Sequence, residues 1–285
     1  MDDRARQGST EVIPLFPLET PLFPGVVLPL NVFEPRYRRL MAELTALPAD
    51  SELRRFGVVS IRQGWEVERV APAEALYDVG CTAVVGAVAA QADGGYQVVA
   101  VGTDRFRLLD VLVPGDDPAD PPYLRAEVEW LHEEEAAEEA AGDAEGLVGA
   151  DGMPDEVASS VARGSLGVLT GNVRDLFAQY VAEVTRRQIG ETADIDDPDP
   201  AGGGEPDVMA ELHREVTDDA RGLSYLVASA ALLTAEDRQA LLAESATRRR
   251  LTMESRLLRR ELTLLRAVGA VPVPLRQFAT PMTVN

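Results

Sequence analysis

The sequence contains no lysine: all 27 of its basic side chains are arginine. That absence removes several mechanisms at once. A phosphate-loop NTPase needs the lysine of GxxxxGK(S/T) to reach the phosphates. Schiff-base chemistry and a Ser-Lys dyad both need a lysine amine. The single cysteine, Cys81, excludes an internal disulfide and fits a reducing compartment. It sits in an apolar run, where a thiol behaves as a small buried hydrophobe. The two histidines, His132 and His213, cannot build a usual zinc site with one cysteine, so neither metal nor cofactor is expected. Both read as solvent-exposed imidazoles. No apolar run approaches the ~18 residues of a membrane span. The opening MDDRARQGSTE carries no signal-peptide pattern, and the expected location is the cytoplasm.

A basic excess is missing too. The net charge is −21, with 48 acids against 27 arginines, but it is unevenly spread. Residues 132–156 hold ten acids and no arginine, and residues 191–207 hold seven more without a base. Outside those stretches 31 acids face 27 arginines, close to neutrality. Neither part offers the net basic face of a nucleic-acid binder. The two acidic stretches carry too few large apolar side chains to offset the entropy of ordering them, and read as solvated linker and loop.

What is present divides the 285 residues into about two domains. Residues 12–131 read as mostly β. VIPLFPL (12–18), VVLPL (26–30), FGVVSIR (56–62) and WEVERV (65–70) are short β-favouring runs broken by Pro and Gly. CTAVVGAVAAQ and YQVVAVG flank Asp93-Gly94-Gly95, a hairpin signal. DRFRLLDVLV and YLRAEVEWL (123–131) add alternating strands. Six or more short strands with a single helix suggest a small barrel or sandwich. From Pro154 the pattern turns helical, with segments near 155–189, 207–231, 235–244 and 246–267. Thr234, three residues before Asp237, resembles a capping box.

The most informative stretch is LPLNVFEPRYRRLM, residues 28–41. A β-favouring run ends at Glu34, which precedes a proline and is steered away from the α region. Pro35 suits the first helical position, where its missing N–H is no loss. Tyr37, Leu40, Met41, Leu44 and Leu47 then recur at helical spacing, and Pro48 closes the segment.

Other motifs weigh less. RGSLG (163–167) fails the G-x-S-x-G nucleophile elbow at Arg163, and no strand precedes it. Asp194, Asp196 and Glu205 fit positions 1, 3 and 12 of a calcium loop, but Pro198 and Asp199 occupy positions 5 and 6, where the turn fails. Triple glycine at 202–204 is surrounded by carboxylates that repel phosphate. The arginines of the last helix read as a solvated face, or one that attracts an acidic stretch.

IPLFPLETPLFPGVVLPLNVFEPRYRRLM, followed by FGVVSIR, YDVGCTAVVGAV, VGTDRFRLLDV and PYLRAEVEWL, closely resembles the N-terminal substrate-binding domain of Lon proteases. It is most similar to stand-alone bacterial proteins built from that domain. The resemblance covers about residues 12–131, and the helical half is similar in pattern alone. It implies an α+β fold: a PUA-like β pseudo-barrel with one helix, then a C-terminal helical bundle. The expected division is a β domain at 1–131, an acidic linker at 132–156, a helical subdomain at 157–269 containing the acidic loop 191–207, and an irregular tail at 270–285. In full-length Lon an ATPase and a Ser-Lys protease follow this domain. Neither is expected here, because the chain is too short for them and has no lysine.

The resemblance therefore implies recognition without cutting, in proteostasis. Its partners would be unfolded or tagged polypeptides, with a protease or chaperone as a further partner. Pro35, Leu40 and Leu44 read as structural. Phe33, Arg36 and Tyr37 are the expected protein contacts, since aromatics and arginine dominate hot spots. Two other readings stay open: a small-molecule sensor, because related PUA-like domains carry ligand pockets, and a hydrolase using His132 or His213. An aromatic cage would favour the sensor, and a flat apolar patch would favour protein binding.

Overall fold

The computed structural model describes residues 10–62, 74–115, 117, 120–133, 156–192 and 219–268. Strands β1 (Thr10–Leu18) and β2 (Val27–Val32) lead into helix α1 (Pro35–Ala46). Strands β3 (Arg55–Ser60), β4 (Val79–Ala90), β5 (Tyr96–Leu112) and β6 (Arg125–Leu131) follow. Four helices complete the order: α2 (Glu156–Thr192), α3 (Ala220–Ala230), α4 (Ala235–Ala243) and α5 (Thr247–Val268). The architecture is mixed α and β, as the sequence suggests. The predicted strand at 65–70, most of the acidic linker and loop, the start of the predicted helix at 207–231 and the tail lie outside the described residues.

All six strands form one sheet in the order β2-β5-β4-β3-β1-β6, and β5 also pairs with β6. Strands β1, β3, β4, β5 and β6 therefore close a ring, with β2 attached beside β5. The two runs read separately, YQVVAVG and DRFRLLDVLV, are one continuous strand. Its first half, Tyr96 to Val101, pairs with β2, and its second half, from Arg105, pairs with β6. Register shifts in β4 and near Leu108 bend the sheet enough to let one strand serve both neighbours. The hairpin signal is real: Gly94 takes φ 81° in the β4–β5 turn, a left-handed value that glycine adopts without steric cost.

Three apolar clusters hold this together. Ile13, Leu15, Val59, Phe106, Val128 and Trp130 pack among the ring strands. Val173, Phe177, Tyr180, Leu251, Leu258 and Leu262 join α2, α3 and α5. The third crosses the two halves: Phe16, Phe23, Leu40, Met41 and Phe56 meet Tyr225, Ala228, Leu241 and Leu242. Cys81 belongs to that shared cluster, and burial pushes its thiol above the usual cysteine range. A thiol reagent should therefore leave the folded chain unmodified and react only after denaturation. Rapid labelling of native protein would contradict this packing.

A buried ionic joint reinforces the shared cluster. Glu133, just past β6, lies 2.9 Å from Arg105 Nη2 and 3.1 Å from Arg250 Nη2. Tyr225 donates its hydroxyl to the same carboxylate, and Arg250 lies 4.0 Å from the centroid of the Tyr225 ring. Arg105 also donates to the carbonyls of Leu242 and Glu244, where cationic donors suit the C-terminal end of α4. Gln239 on α4 donates to the Val79 carbonyl of β4. Glu133 belongs by sequence to the acidic run at 132–156, but in the structure it is the counter-ion of two buried arginines. The expected capping box also forms, with Thr234 Oγ1 accepting from the Asp237 N–H at 3.1 Å.

Candidate functional site

The β2–α1 junction is built as its local chemistry requires. Glu34 is extended at ψ 135°, Pro35 opens the helix, and the Arg38 N–H donates to the Glu34 carbonyl at 2.9 Å. Helix α1 buries Tyr37, Leu40, Met41 and Leu44 against the shared cluster. At ~1.5–3 kcal/mol for each large apolar side chain, this packing dominates the energetics of the helix. Arg38 reaches the Gly94 carbonyl at 3.5 Å and so links α1 to the β4–β5 turn.

The three predicted contact residues occupy different depths. Phe33 is 73 % exposed. Arg36 donates from Nε to Glu34 at 2.8 Å, and its guanidinium lies 4.8 Å from the Tyr37 ring centroid. Tyr37 is only 5 % exposed and stacks on Phe16 at 4.1 Å. Burial raises the Tyr37 hydroxyl above the usual phenol range, with Arg36 opposing and Glu34 adding to the rise. The cluster is thus a stack of Phe16, Tyr37 and Arg36, with Phe33 standing free beside it.

The outer face of the neighbouring strands holds a feature not predicted from the sequence. Val27, Val101 and Val84 share one row across β2, β5 and β4; Pro29, Val99 and Ala87 share the next. Asn31, Gln97 and Ala89 form a third, towards the turn. All four valines are exposed. An open groove of about 390 Å³ crosses the second and third rows, and no charged or aromatic residue lines it. The runs VVLPL, CTAVVGAVAAQ and YQVVAVG carry the signal, because they lack polar residues at alternate positions. Such runs normally read as strands buried on both faces. Pro29 removes one N–H from β2, the edge strand in the sheet order, which discourages edge-to-edge pairing.

Among the described residues, neither sequence motif weighed for chemistry gains a site beside this surface. Ser165 of RGSLG lies within α2, not at a strand-to-helix turn, and its hydroxyl accepts from Arg248 at 2.8 Å. Among the described residues no group of three or more His, Cys, Asp or Glu side chains is placed to hold a metal ion. Among them, too, no helix is long and apolar enough to cross a membrane.

Residues 12–260 match the family model described as the ATP-dependent protease La (LON) substrate-binding domain. Lon protease 2 of Syntrophobacter fumaroxidans is 33% identical over 132 residues, which cover 45% of this chain and 15% of the relative. Lon protease 1 of Herpetosiphon aurantiacus is 25% identical over 256 residues, 89% of this chain and 24% of the relative. The chain therefore spans a quarter or less of the length of these two relatives. The fold is similar to that of the N-terminal domain of Mycobacterium avium complex Lon protease, at 16% identity and a TM-score of 0.51, covering 87% of this chain and 98% of that one. With a family match that begins in β1 and runs into α5, this chain belongs to the Lon substrate-binding domain family.

Proposed function

We propose that this protein is a recognition module that binds unfolded or tagged polypeptides and has no catalysis of its own. The observation that carries this reading is the uncharged apolar face of β2, β5 and β4, with exposed Phe33 directly following β2. An exposed apolar face of this kind is a usual mark of a protein-binding surface. Phe33 and Arg36 are the contact residues in this reading, and Tyr37 supports Arg36 from below. The absence of lysine removes the phosphate-loop and Ser-Lys chemistries from consideration. The closed ring of strands fits a PUA-like pseudo-barrel, and α2 to α5 fit a helical subdomain beyond it. A protease or chaperone in the cytoplasm would receive the bound client. The small-molecule reading gains less support, because the groove lacks an aromatic lining.

The test is titration of a permanently unfolded, fluorescent polypeptide against wild type and a Phe33→Ala, Arg36→Ala double variant. Loss of an exposed aromatic and its neighbouring guanidinium should weaken binding by about 2 kcal/mol, roughly thirtyfold. Circular dichroism serves as the folding control, and Leu40, Met41 and Leu44 still anchor α1 in the variant. Equal affinities for two folded proteins would remove the site assignment.

A further inference from the structure

Glu254 lies on α5 and is 1 % exposed, and among the described residues neither of its carboxyl oxygens has a hydrogen-bond partner. A charge held in that state would cost several kcal/mol, so the stable form of the group is the neutral acid. It is flanked by Leu251 and Leu258 of the helical cluster and by Met253 and Leu257, which pack on the shared one. One helical turn before it stands Arg250, at the spacing where two side chains of a helix can meet.

Arg250 is fully buried and already engaged. Its Nε donates to Ser224 Oγ at 2.7 Å and its Nη1 to the Glu244 carbonyl at 2.6 Å. Its Nη2 donates to Glu133 at 3.1 Å and to Thr247 Oγ1 at 2.9 Å. A guanidinium has five N–H groups, so one on Nη1 remains without an acceptor. Several of the other charged and titratable groups on the surrounding elements hold partners of their own. Arg105 pairs with Glu133, which also takes the Tyr225 hydroxyl. Arg260 holds Asp237 and Glu261, Glu183 holds Arg186 and Arg187, and Arg249 holds Glu244. Arg238 donates to the Ala231 carbonyl, and the Tyr180 hydroxyl accepts from the Leu232 N–H. Arg250 is the cation whose charge acts on Glu254.

We propose that Glu133 and Glu254 are alternative partners for Arg250, and that the joint between sheet and helices loosens when Glu254 loses its proton. The step releases one proton to water. The guanidinium stays charged throughout and exchanges its bond to the Glu133 carboxylate for one to the Glu254 carboxylate. Glu133 keeps Arg105 and Tyr225, while α5 gives up its ion pair to the end of β6. The device is a proton-controlled latch at the buried ionic joint between sheet and helices.

Burial holds the Glu254 carboxyl well above the usual carboxylate range, against the pull of Arg250. A proton bound more tightly by the folded than the unfolded chain stabilises fully below the ordinary carboxylate pKa. That contribution is lost as pH rises through the folded value. The test follows wild type and Glu254→Gln from about pH 5 to about pH 9, reading both thermal midpoint and amide hydrogen exchange. In wild type the midpoint should fall as pH rises. Residues 242–250, which join α4 to α5, should lose protection by about tenfold after correction for intrinsic exchange. Glu254→Gln should hold both readings level across the range, and Glu254→Met serves the same purpose if the glutamine variant does not fold. An identical pH profile in wild type and variant would overturn the proposal. So would a falling midpoint with unchanged protection at 242–250, because Glu254 would then ionise without moving Arg250.

Discussion

Replacing Glu133 with alanine should destabilise the fold by about 3–5 kcal/mol, the range for removing one partner from a buried ion pair. The side chains of Arg105 and Arg250 are 1% and 0% exposed, so both guanidiniums would stay desolvated after losing their shared carboxylate. Arg250 has Glu254 within reach, but Arg105 has no second carboxylate among its described partners. For a chain of this size the loss corresponds to a fall in melting temperature of roughly 10 °C. Calorimetry on wild type, Glu133→Gln and Glu133→Ala would measure it, with the amide variant intermediate because it still accepts hydrogen bonds. The exposed pair Arg62–Asp78 is the control: breaking it should cost about 0–1 kcal/mol. A Glu133→Ala midpoint within a degree or two of wild type would show that the joint is not what ties the halves together.

Gly80→Ala is the second large effect expected. An ideal Cβ at Gly80 would lie 2.3 Å from Phe106 Cζ and 2.4 Å from the Val58 carbonyl oxygen. Phe106 is fully buried in the ring cluster, and the Val58 carbonyl is backbone of the adjacent strand, so neither can withdraw cheaply. Overpacking of this kind costs about 3 kcal/mol. Gly164→Ala makes a matched comparison, since an added methyl meets nothing within 4 Å there and α2 gains helix propensity worth about 0.5–1 kcal/mol. Urea unfolding of the two variants should shift the midpoint in opposite directions. A Gly80→Ala midpoint equal to wild type would mean that the β3–β4–β5 contact relaxes more readily than its geometry implies.

Features set by neighbouring residues were legible in the sequence. The pre-proline turn at Glu34, the buried stripe of α1, the Asp93-Gly94 turn and the Thr234 cap all depend on spacings of a few residues. At the site, the spacing of Tyr37 from Leu40, Met41 and Leu44 places it in the buried stripe, whereas its aromatic character suggests a surface contact. Glu133 was not legible. Its partners lie on β5 and α5, and Arg250 is 117 residues away, so no local pattern separates it from the acids that follow. The exposed face of β2, β5 and β4 was hidden for another reason. A strand that is apolar on both faces looks the same in sequence whether a neighbour covers it or solvent does.

The closed ring of strands also sets an order of events during synthesis. Thr10 pairs with Glu129 and Pro14 with Arg125, so one edge of the first strand has no neighbour until the ribosome has passed β6. Contacts so distant in sequence slow folding, because the long loop must close before any of them forms. Until then β1 and the second half of β5 present open edges to everything nearby, a state prone to association with other chains. Under the proposed function, the chain passes on its own way to the native state through the condition of the polypeptides it would bind.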